Sequence, residues 1–544
     1  MFNQKFSRRS FLSVSAITAA TFALDLKKVS AMGSKVGNKQ AYPTVIIGAG
    51  LGGLCCGAYL ARQGFPVTII EQHDRAGGYA TTFERDGGKF TFDVSLHATT
   101  INNNTLERTL KNLGVLEKIE VVEASTGFRV KSGDIDFTFP QRDINQLIHN
   151  VSEHFPEEVE GFRNYISEMK ALGDEADELS KKGMPSMLLF PFLYWNLFSA
   201  RNRTLAEMLD EHMKDPKLKK IICSAWPLTG GPQPSNLSGC VYAITLIKYI
   251  QNGAQNIKPN SEALIDALVE TITDAGGEIL YETEVEKINV QNGAVSGVTV
   301  AGGKTLPARS VVSNASPLNT FHKMLSKDVV PPGYLQQLNK YKPGLSTFII
   351  WLGLNHDLQH LTKDANIFQN SELTLEGDSQ AYLSGDIKNI PYYITIYDNI
   401  YEGYSQAGTS TAAIVCFTSF EPWRKFEKDY KAGNKKAYYA EKERWTDTLI
   451  QRAEKDILPG LSSMIEVQES ATPLTNQYYT GSTNGAVCGF EQSMESSLNK
   501  RLNNRTPIDG LYLAGAWCLP GGGYVGSIRS GEITFQMMMN DWVG

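Results

Sequence analysis

Residues 45–78 read VIIGAGLGGLCCGAYLARQGFPVTIIEQHDRAGG. Val45, Ile46 and Ile47 form a β-branched run suited to a buried parallel strand, and Gly48, Ala49, Gly50, Leu51, Gly52 and Gly53 follow where a helix should begin. Gly48 permits the tight strand-to-helix turn, Gly50 lets main chain approach a pyrophosphate with no Cβ in the way, and Gly53 lets the helix pack close to the strand. The free N–H groups and positive end of that helix then receive the phosphates. A second strand, Val67 to Ile70, ends at Glu71, about twenty residues on, where a carboxylate accepts hydrogen bonds from a ribose diol and disfavours a 2′-phosphate. A glycine turn in an ordinary strand–helix–strand unit is the plainer reading, but it gives no reason for an acid to close the second strand. The pattern predicts a Rossmann-type dinucleotide-binding unit.

Arg75-Ala76-Gly77-Gly78 points to FAD over NAD, because R-x-G-G follows the acid in one large flavoprotein group. Arg75 can neutralise phosphate charge, while Gly77 and Gly78 let the chain pass close to the dinucleotide. Residues 509–531, DGLYLAGAWCLPGGGYVGSIRSG, read as the other half of the same pocket. Leu511 to Ala514 would be a short buried strand ended by Gly515, and Pro520 to Gly523 a turn opening a helix from about Gly526 to Met539. Gly523, Tyr524 and Val525 would then lie against an isoalloxazine ring, with the helix aiming its positive end at the negative charge of reduced flavin. The alternative is a glycine-rich surface turn before a terminal helix.

Together these segments resemble the phytoene desaturase, carotenoid isomerase and retinol saturase family of FAD enzymes, within the wider amine-oxidase-like group. The resemblance extends to Ser261–Leu268, Gly276-Gly277-Glu278-Ile279, Glu284-Val285 and Val311-Val312-Ser313-Asn314-Ala315, but not to the middle of the chain. It implies an α/β architecture, a Rossmann-type FAD-binding domain with an interleaved α+β substrate domain made of a mixed sheet and a helical cap. The FAD domain would comprise residues 42–124, 251–319 and 471–544, and the substrate domain residues 125–250 and 320–470. Ser346 to Leu354, Tyr392 to Tyr397 and Thr411 to Phe417 are β-rich segments suited to a sheet that floors a cavity over the flavin. By the same resemblance Val285 lies beside the adenine. Ala516 departs from the family, which places Glu, Asp or Gln there to partner ribityl and phosphate oxygens; water would have to supply that hydrogen bond. The implied reaction is desaturation, saturation or isomerisation of a carbon–carbon double bond in an apolar polyene or isoprenoid-like substrate.

The N-terminus carries Ser7-Arg8-Arg9-Ser10-Phe11-Leu12, an apolar stretch to Leu24 and a small-residue site at Val29-Ser30-Ala31. This predicts a twin-arginine export signal over residues 1–31 and a periplasmic protein, exported with its cofactor already inserted. The full chain has a net charge of −6; without residues 1–31, which hold five basic residues and one acidic, it is −10. No basic face for nucleic acid is evident. Seven cysteines occur without a C-x-x-C pair, so no metal or iron–sulfur site is indicated. Cys55 and Cys56 read as small core residues, and Cys518, nearer the flavin, as packing or as a redox-active thiol.

His97, in Phe92-Asp93-Val94-Ser95-Leu96-His97, and Tyr524 are the candidate catalytic residues; each can exchange a proton as hydrogen moves at the flavin. A histidine satisfied by main chain is the competing reading of His97. The run Met187 to Phe198, MLLFPFLYWNLF, is too short to span a bilayer and reads as a cap helix broken at Pro191, a tunnel lining, or a segment in contact with the membrane surface. No second G-x-G-x-x-G follows a strand, so electrons must pass to or from a visiting partner such as a quinone or a redox protein. Two other functions fit this scaffold: an amine or amino-acid oxidase, and a non-catalytic exported flavoprotein that carries electrons or binds lipid. Gly50→Val should abolish flavin loading, because its side chain would occupy the phosphate approach. The visible flavin spectrum of the purified variant checks this, and a normal yellow spectrum would contradict the placement of the pyrophosphate.

Overall fold

A computed structural model describes residues 35–124, 126–182, 189–231 and 233–543; the export signal expected over residues 1–31 lies outside them. The dinucleotide unit is a five-stranded parallel sheet in the order Leu511–Leu513, Ser310–Ser313, Thr44–Ile47, Val67–Ile70, Glu278–Leu280. Strands covered on both faces read as unbroken apolar runs, and the side-chain alternation sorts them into two cores. Ile46, Ile69, Val312 and Tyr512 pack with the helices Leu51–Arg62, Glu262–Asp274 and Gly523–Val543. Val45, Ile47, Ile70, Val311, Leu511 and Leu513 pack instead with Val285, Ile288, Val298 and Val300, from an antiparallel meander of three strands within residues 285–307. The two chain ends therefore meet in one sheet, separated by only the strand Ser310–Ser313.

A second sheet has seven strands, in the order Ile465–Ala471, Ser346–Leu354, Ser410–Thr418, Tyr392–Ile396, Asn366–Gln369, Phe128–Ser132, Ile135–Phe139. It is antiparallel except where Asn366–Gln369 runs parallel to Phe128–Ser132. Its central strands Ser346–Leu354 and Ser410–Thr418 are buried along their whole length, so one face must be roofed. Part of that cover is the helical cap, whose Tyr165, Met169, Tyr242 and Leu246 share a core with Ile350, Ile394 and Ile414. The two sheets are stitched together by the hairpin Thr82–Arg85 and Phe90–Asp93. Gly353 faces Phe90 so closely that a Cβ there would lie 2.7 Å from the ring, and Trp351 Nε1 donates to Asp93 O at 2.8 Å. The strand Glu120–Glu123 pairs with Gln255–Lys258, closing the first excursion of the chain at its base.

Several element boundaries differ from the sequence reading. The closing helix begins at Gly523, three residues earlier than expected, and runs on to Val543. Tyr397 leaves its strand for a 3-10 turn over Tyr397–Asn399, which frees its hydroxyl for other partners. Pro191 does not break the apolar run. It occupies the first turn of a short helix, Phe190–Leu193, where a missing N–H costs nothing. The break falls at Tyr194, φ −133° and ψ 61°, after which Trp195–Ala200 forms a second short helix. Nor is the segment a wholly buried cap helix, since Phe192 is 84 % and Trp195 62 % exposed.

The closing helix and the glycine-loop helix touch through main chain. A Cβ on Gly531 would lie 2.3 Å from Gly52 O and 2.8 Å from Cys55 Cβ, so the pair can pack only with glycine there. Gly531→Ala is therefore expected to push the helices apart at a cost of about 1–3 kcal/mol and to tilt the loop at Gly50. A lower thermal midpoint together with weaker FAD retention on a desalting column would show it; unchanged retention would separate this contact from the flavin site.

Candidate functional site

The glycine loop is held open for a phosphate group by contacts that the sequence only partly reveals. Gly48 sits at φ +92° and donates its N–H to Ile70 O at 2.8 Å. Gly50 is the N-cap of the helix Leu51–Arg62, and no side chain caps that end. Gly53 N–H donates to Asn314 Oδ1 at 3.2 Å. Gly77 N–H donates to Ala49 O at 2.8 Å, bringing Gly77 and Gly78 beside Gly50. Arg75 stands half-exposed at this edge, with Asp74 and Thr82 O its partners, each at 3.4 Å. Glu71 accepts from Ala49 N–H at 2.8 Å through one oxygen and from His73 N–H at 3.1 Å through the other. A carboxylate has about four lone-pair sites, so this use still leaves capacity for a ribose diol. Val285 lies near that acid, 5 % exposed, where Thr283 N–H reaches Glu71 O at 2.9 Å.

The C-terminal segment meets this loop from the other side. A Cβ on Gly52 would lie 2.5 Å from Gly515 N, and one on Gly515 would lie 2.4 Å from Asn314 Oδ1. Asn314 thus sits between both glycine segments. Sequence reading placed it only at the end of a returning strand, and the buried-strand pattern before it was the available signal. Ala516 O accepts from Arg501 Nη2 at 2.8 Å, so its carbonyl is committed to that arginine. Gly523 opens the closing helix with no heavy atom within 4 Å of where a Cβ would stand, and Tyr524 and Val525 are half-buried beside it. A capless helix N-terminus, an acid with spare lone pairs, a half-exposed arginine and clear space at Gly523 fit FAD, which the glycine loop, Glu71, Arg75 and the Gly523–Val525 turn would hold. When bound there, FAD supplies the redox chemistry.

Beyond that turn lies a group of side chains that are partly accessible yet strongly desolvated. Tyr79, His97, Tyr249, Cys488 and Tyr524 each keep accessible surface, yet burial is the dominant influence on every one of them. It lowers His97 to about 3, raises Cys488 to about 11 and Tyr249 to about 12, and raises Tyr79 and Tyr524 further. Burial disfavours the charged form of each, so all five side chains are held neutral. Cys488 packs on the flavin-side turn, where a Cβ on Gly522 would lie 2.6 Å from Cys488 Cα. His97 belongs to the opposite wall, its ring edge-on to Tyr393 at 5.4 Å and its Nδ1 3.0 Å from Tyr397 OH. Cys518 is packed away, with Sγ against Ser530 Oγ at 3.3 Å, and Cys55 and Cys56 are core residues.

Asp93, fully buried, anchors the floor below His97. Its carboxylate accepts from Ser261 N–H at 3.1 Å, from Ser261 Oγ, and from Tyr404 OH at 2.6 Å. Burial holds its carboxyl up at about 6 despite these bonds. Arg501 is also buried, but it spends its guanidinium on main-chain carbonyls of Phe490, Glu491 and Ala516 at 2.7–2.9 Å. The tyrosines at 397 and 404 come from a loop more than three hundred residues from Asp93 in sequence, which is why local patterns did not bring them together.

Comparison with known proteins gives this geometry its context. The family described as flavin containing amine oxidoreductase matches residues 51–534. A chloroplastic prolycopene isomerase from Daucus carota is 26 % identical over 525 residues, spanning 93 % of this chain and 81 % of that one. An all-trans-retinol 13,14-reductase from Danio rerio is 25 % identical, spanning 90 % and 85 %. In structure, cyclohexylamine oxidase from Brevibacterium oxydans superposes with a TM-score of 0.59 at 14 % identity, covering 92 % of this chain and 99 % of the other. The glycine-loop geometry and the matched span agree: the chain belongs to the family of flavin-containing amine oxidoreductases and is an FAD-dependent oxidoreductase.

Proposed function

We propose that this enzyme adds, removes or rearranges hydrogen at a carbon–carbon double bond of an apolar isoprenoid or polyene. The observation that carries this reading is the chemistry of the cluster around His97, read as the wall of a substrate cavity. Tyr79, Tyr249, Tyr393, Cys488 and Tyr524 surround it, and none of these is charged at neutral pH. His97 is neutral there as well, because burial holds it near 3. The nearest carboxylate, Asp93, is fully buried and bonded to Ser261 and Tyr404. An amine or amino acid needs an opposite charge to replace its lost hydration, and among the described residues this lining offers none. Relatives whose names state prolycopene isomerisation and retinol 13,14-reduction support the same substrate class.

His97 and Tyr524 are the side chains assigned to the reacting region; His97 would hold a hydrogen bond at the substrate, while the Tyr524 hydroxyl is buried toward Ser95 and Ser261. Because His97 stays neutral, its part is orientation, and the pH profile of turnover between 5 and 8 should lack an inflection from this ring. Delivery of so apolar a substrate suits a membrane surface. Leu189, Phe192, Leu193 and Trp195 are 53 %, 84 %, 58 % and 62 % exposed on consecutive short helices, a patch that costs free energy in water. No helix among the described residues is long and apolar enough to cross a bilayer, so this contact would be peripheral. Export by the twin-arginine route is part of the reading, and a quinone or a redox protein is then the electron partner.

Two experiments test this function. Anaerobic holoenzyme, chemically reduced and mixed with an all-trans polyene, should give a saturated or isomerised product by mass spectrometry, and oxidised holoenzyme should keep its visible flavin band when mixed with primary amines. Bleaching by amines without any polyene product would refute the assignment. Replacing Phe192 and Trp195 together by Ser should weaken partition onto lipid vesicles by about tenfold or more and leave flavin content unchanged, as read by co-sedimentation.

A further inference from the structure

Three helices of the flavin half bury more positive charge than negative. The glycine-loop helix Leu51–Arg62, the helix Thr105–Leu113 and the closing helix Gly523–Val543 share one apolar core. Two arginines and a glutamate lie within it. Arg529 is 7 % and Glu532 2 % exposed, and they form an ion pair on the closing helix through Arg529 Nη1 and Glu532 Oε2. The other contacts of Glu532 are neutral donors, Thr109 Oγ1 at 2.6 Å and Gln536 Nε2 at 3.1 Å. Arg108, beside Thr109 in the chain, pairs with no carboxylate among the described residues. Burial and the like charge of Arg529 push the Arg108 guanidinium below its usual value, so the two arginines act on one another. Arginine nevertheless keeps its proton inside proteins. Arg108 and Arg529 set against Glu532 therefore leave one positive charge over.

The donors without partners belong to the same groups. Arg108 Nε and Nη2 are buried and unpartnered, and these two atoms share the guanidinium edge that grips an anion with parallel hydrogen bonds. Arg529 Nη2 is unpartnered as well. Tyr59, 4 % exposed and stacked on Phe535 at 5.1 Å, turns its hydroxyl toward Asn112 without a partner in hydrogen-bond geometry. Its surroundings include both Glu532 and Arg529. Gln536 Oε1 is also unpartnered, but a neutral amide cannot balance the charge. Water would satisfy these N–H and O–H groups and still leave the surplus in place. An uncompensated charge is among the costliest things a fold can bury, and a small anion removes both costs together. Arg108 is only half-buried, so such an ion can enter from solvent along its side chain.

We propose that Arg108, Arg529 and the Tyr59 hydroxyl hold one small monovalent anion of the halide class, which fastens the helix Thr105–Leu113 to the two helices of the flavin half. Sulfate, with two charges, would reverse the imbalance instead of cancelling it. The anion takes no part in the redox step; it completes the charge balance of the core on which the glycine loop rests.

The test uses purified holoenzyme exchanged into sodium gluconate and titrated with sodium chloride, sodium bromide or sodium sulfate at constant ionic strength. Chloride and bromide should raise the thermal midpoint saturably, by about 2 °C or more at the plateau, and sulfate should fall short of them. Crystals grown with bromide should show an anomalous peak within hydrogen-bond distance of both guanidinium groups. Arg108→Met and Arg108→Gln each remove the surplus charge, so both should lose the halide shift and, in gluconate, melt no lower than the wild-type protein. Loss of a merely structural arginine would lower the midpoint in every salt. Absence of a saturable halide shift in the wild-type protein overturns the inference, as does a shift that survives in either variant or a lower midpoint of both variants in gluconate. A bromide peak without any shift in solution marks an adventitious ion only and overturns it too. Because no substrate enters the measurement, its failure leaves the isoprenoid reading untouched.

Discussion

A tight main-chain approach, Gly52 against Gly515, sets where everything else in the flavin half can lie. No side chain fits between these positions, since a Cβ on Gly52 would stand 2.5 Å from Gly515 N. Gly531 repeats the constraint one layer lower, against Gly52 O. The glycine-loop helix and the closing helix are thus locked face to face, and their N-termini open toward one groove. Asn314, reaching Gly53 N–H at 3.2 Å from the strand between them, ties the third element to the other two. Because the two segments are separated by most of the chain, the groove exists only when the whole fold does.

That arrangement also explains the division of labour between the two sheets. The parallel sheet presents backbone: N–H groups, glycine and a carboxylate whose oxygens already hold main chain in place. The seven-stranded sheet presents side chains, aromatic ones above all, such as Phe368 and Tyr393. Charges near the boundary are neutralised in place. Asp93 is surrounded by hydroxyls and an N–H, and Arg501 is distributed over carbonyls. Burying a charge is tolerable only with such partners.

The flavin half of this arrangement was legible from sequence because its chemistry is local. Gly48–Gly53, Glu71, Arg75–Gly78 and Gly515–Val525 each sit within short segments whose strand and helix patterns are strong, and the long strand Ser346–Leu354 announced itself by its β-branched and aromatic content. The chamber was less legible because its walls are assembled from distant segments. His97 could be named, but not its partner Tyr397, which lies three hundred residues away and acquires its role by leaving a strand one residue early. Pro191 misled for a different reason: proline breaks a helix interior but starts a helix equally well, and only the flanking geometry distinguishes the two.

A neutral histidine in an enclosed aromatic chamber changes what the protein half of the chemistry can be. A ring held near 3 is a poor base, and as an acid it has no proton to give readily. Burial thus favours an orienting part for His97. What the ring can do is hold a fixed direction, because its Nδ1 is engaged from behind and its edge is packed on Tyr393. For a substrate whose reactive carbons carry no handle of their own, placement relative to the flavin is the larger part of catalysis.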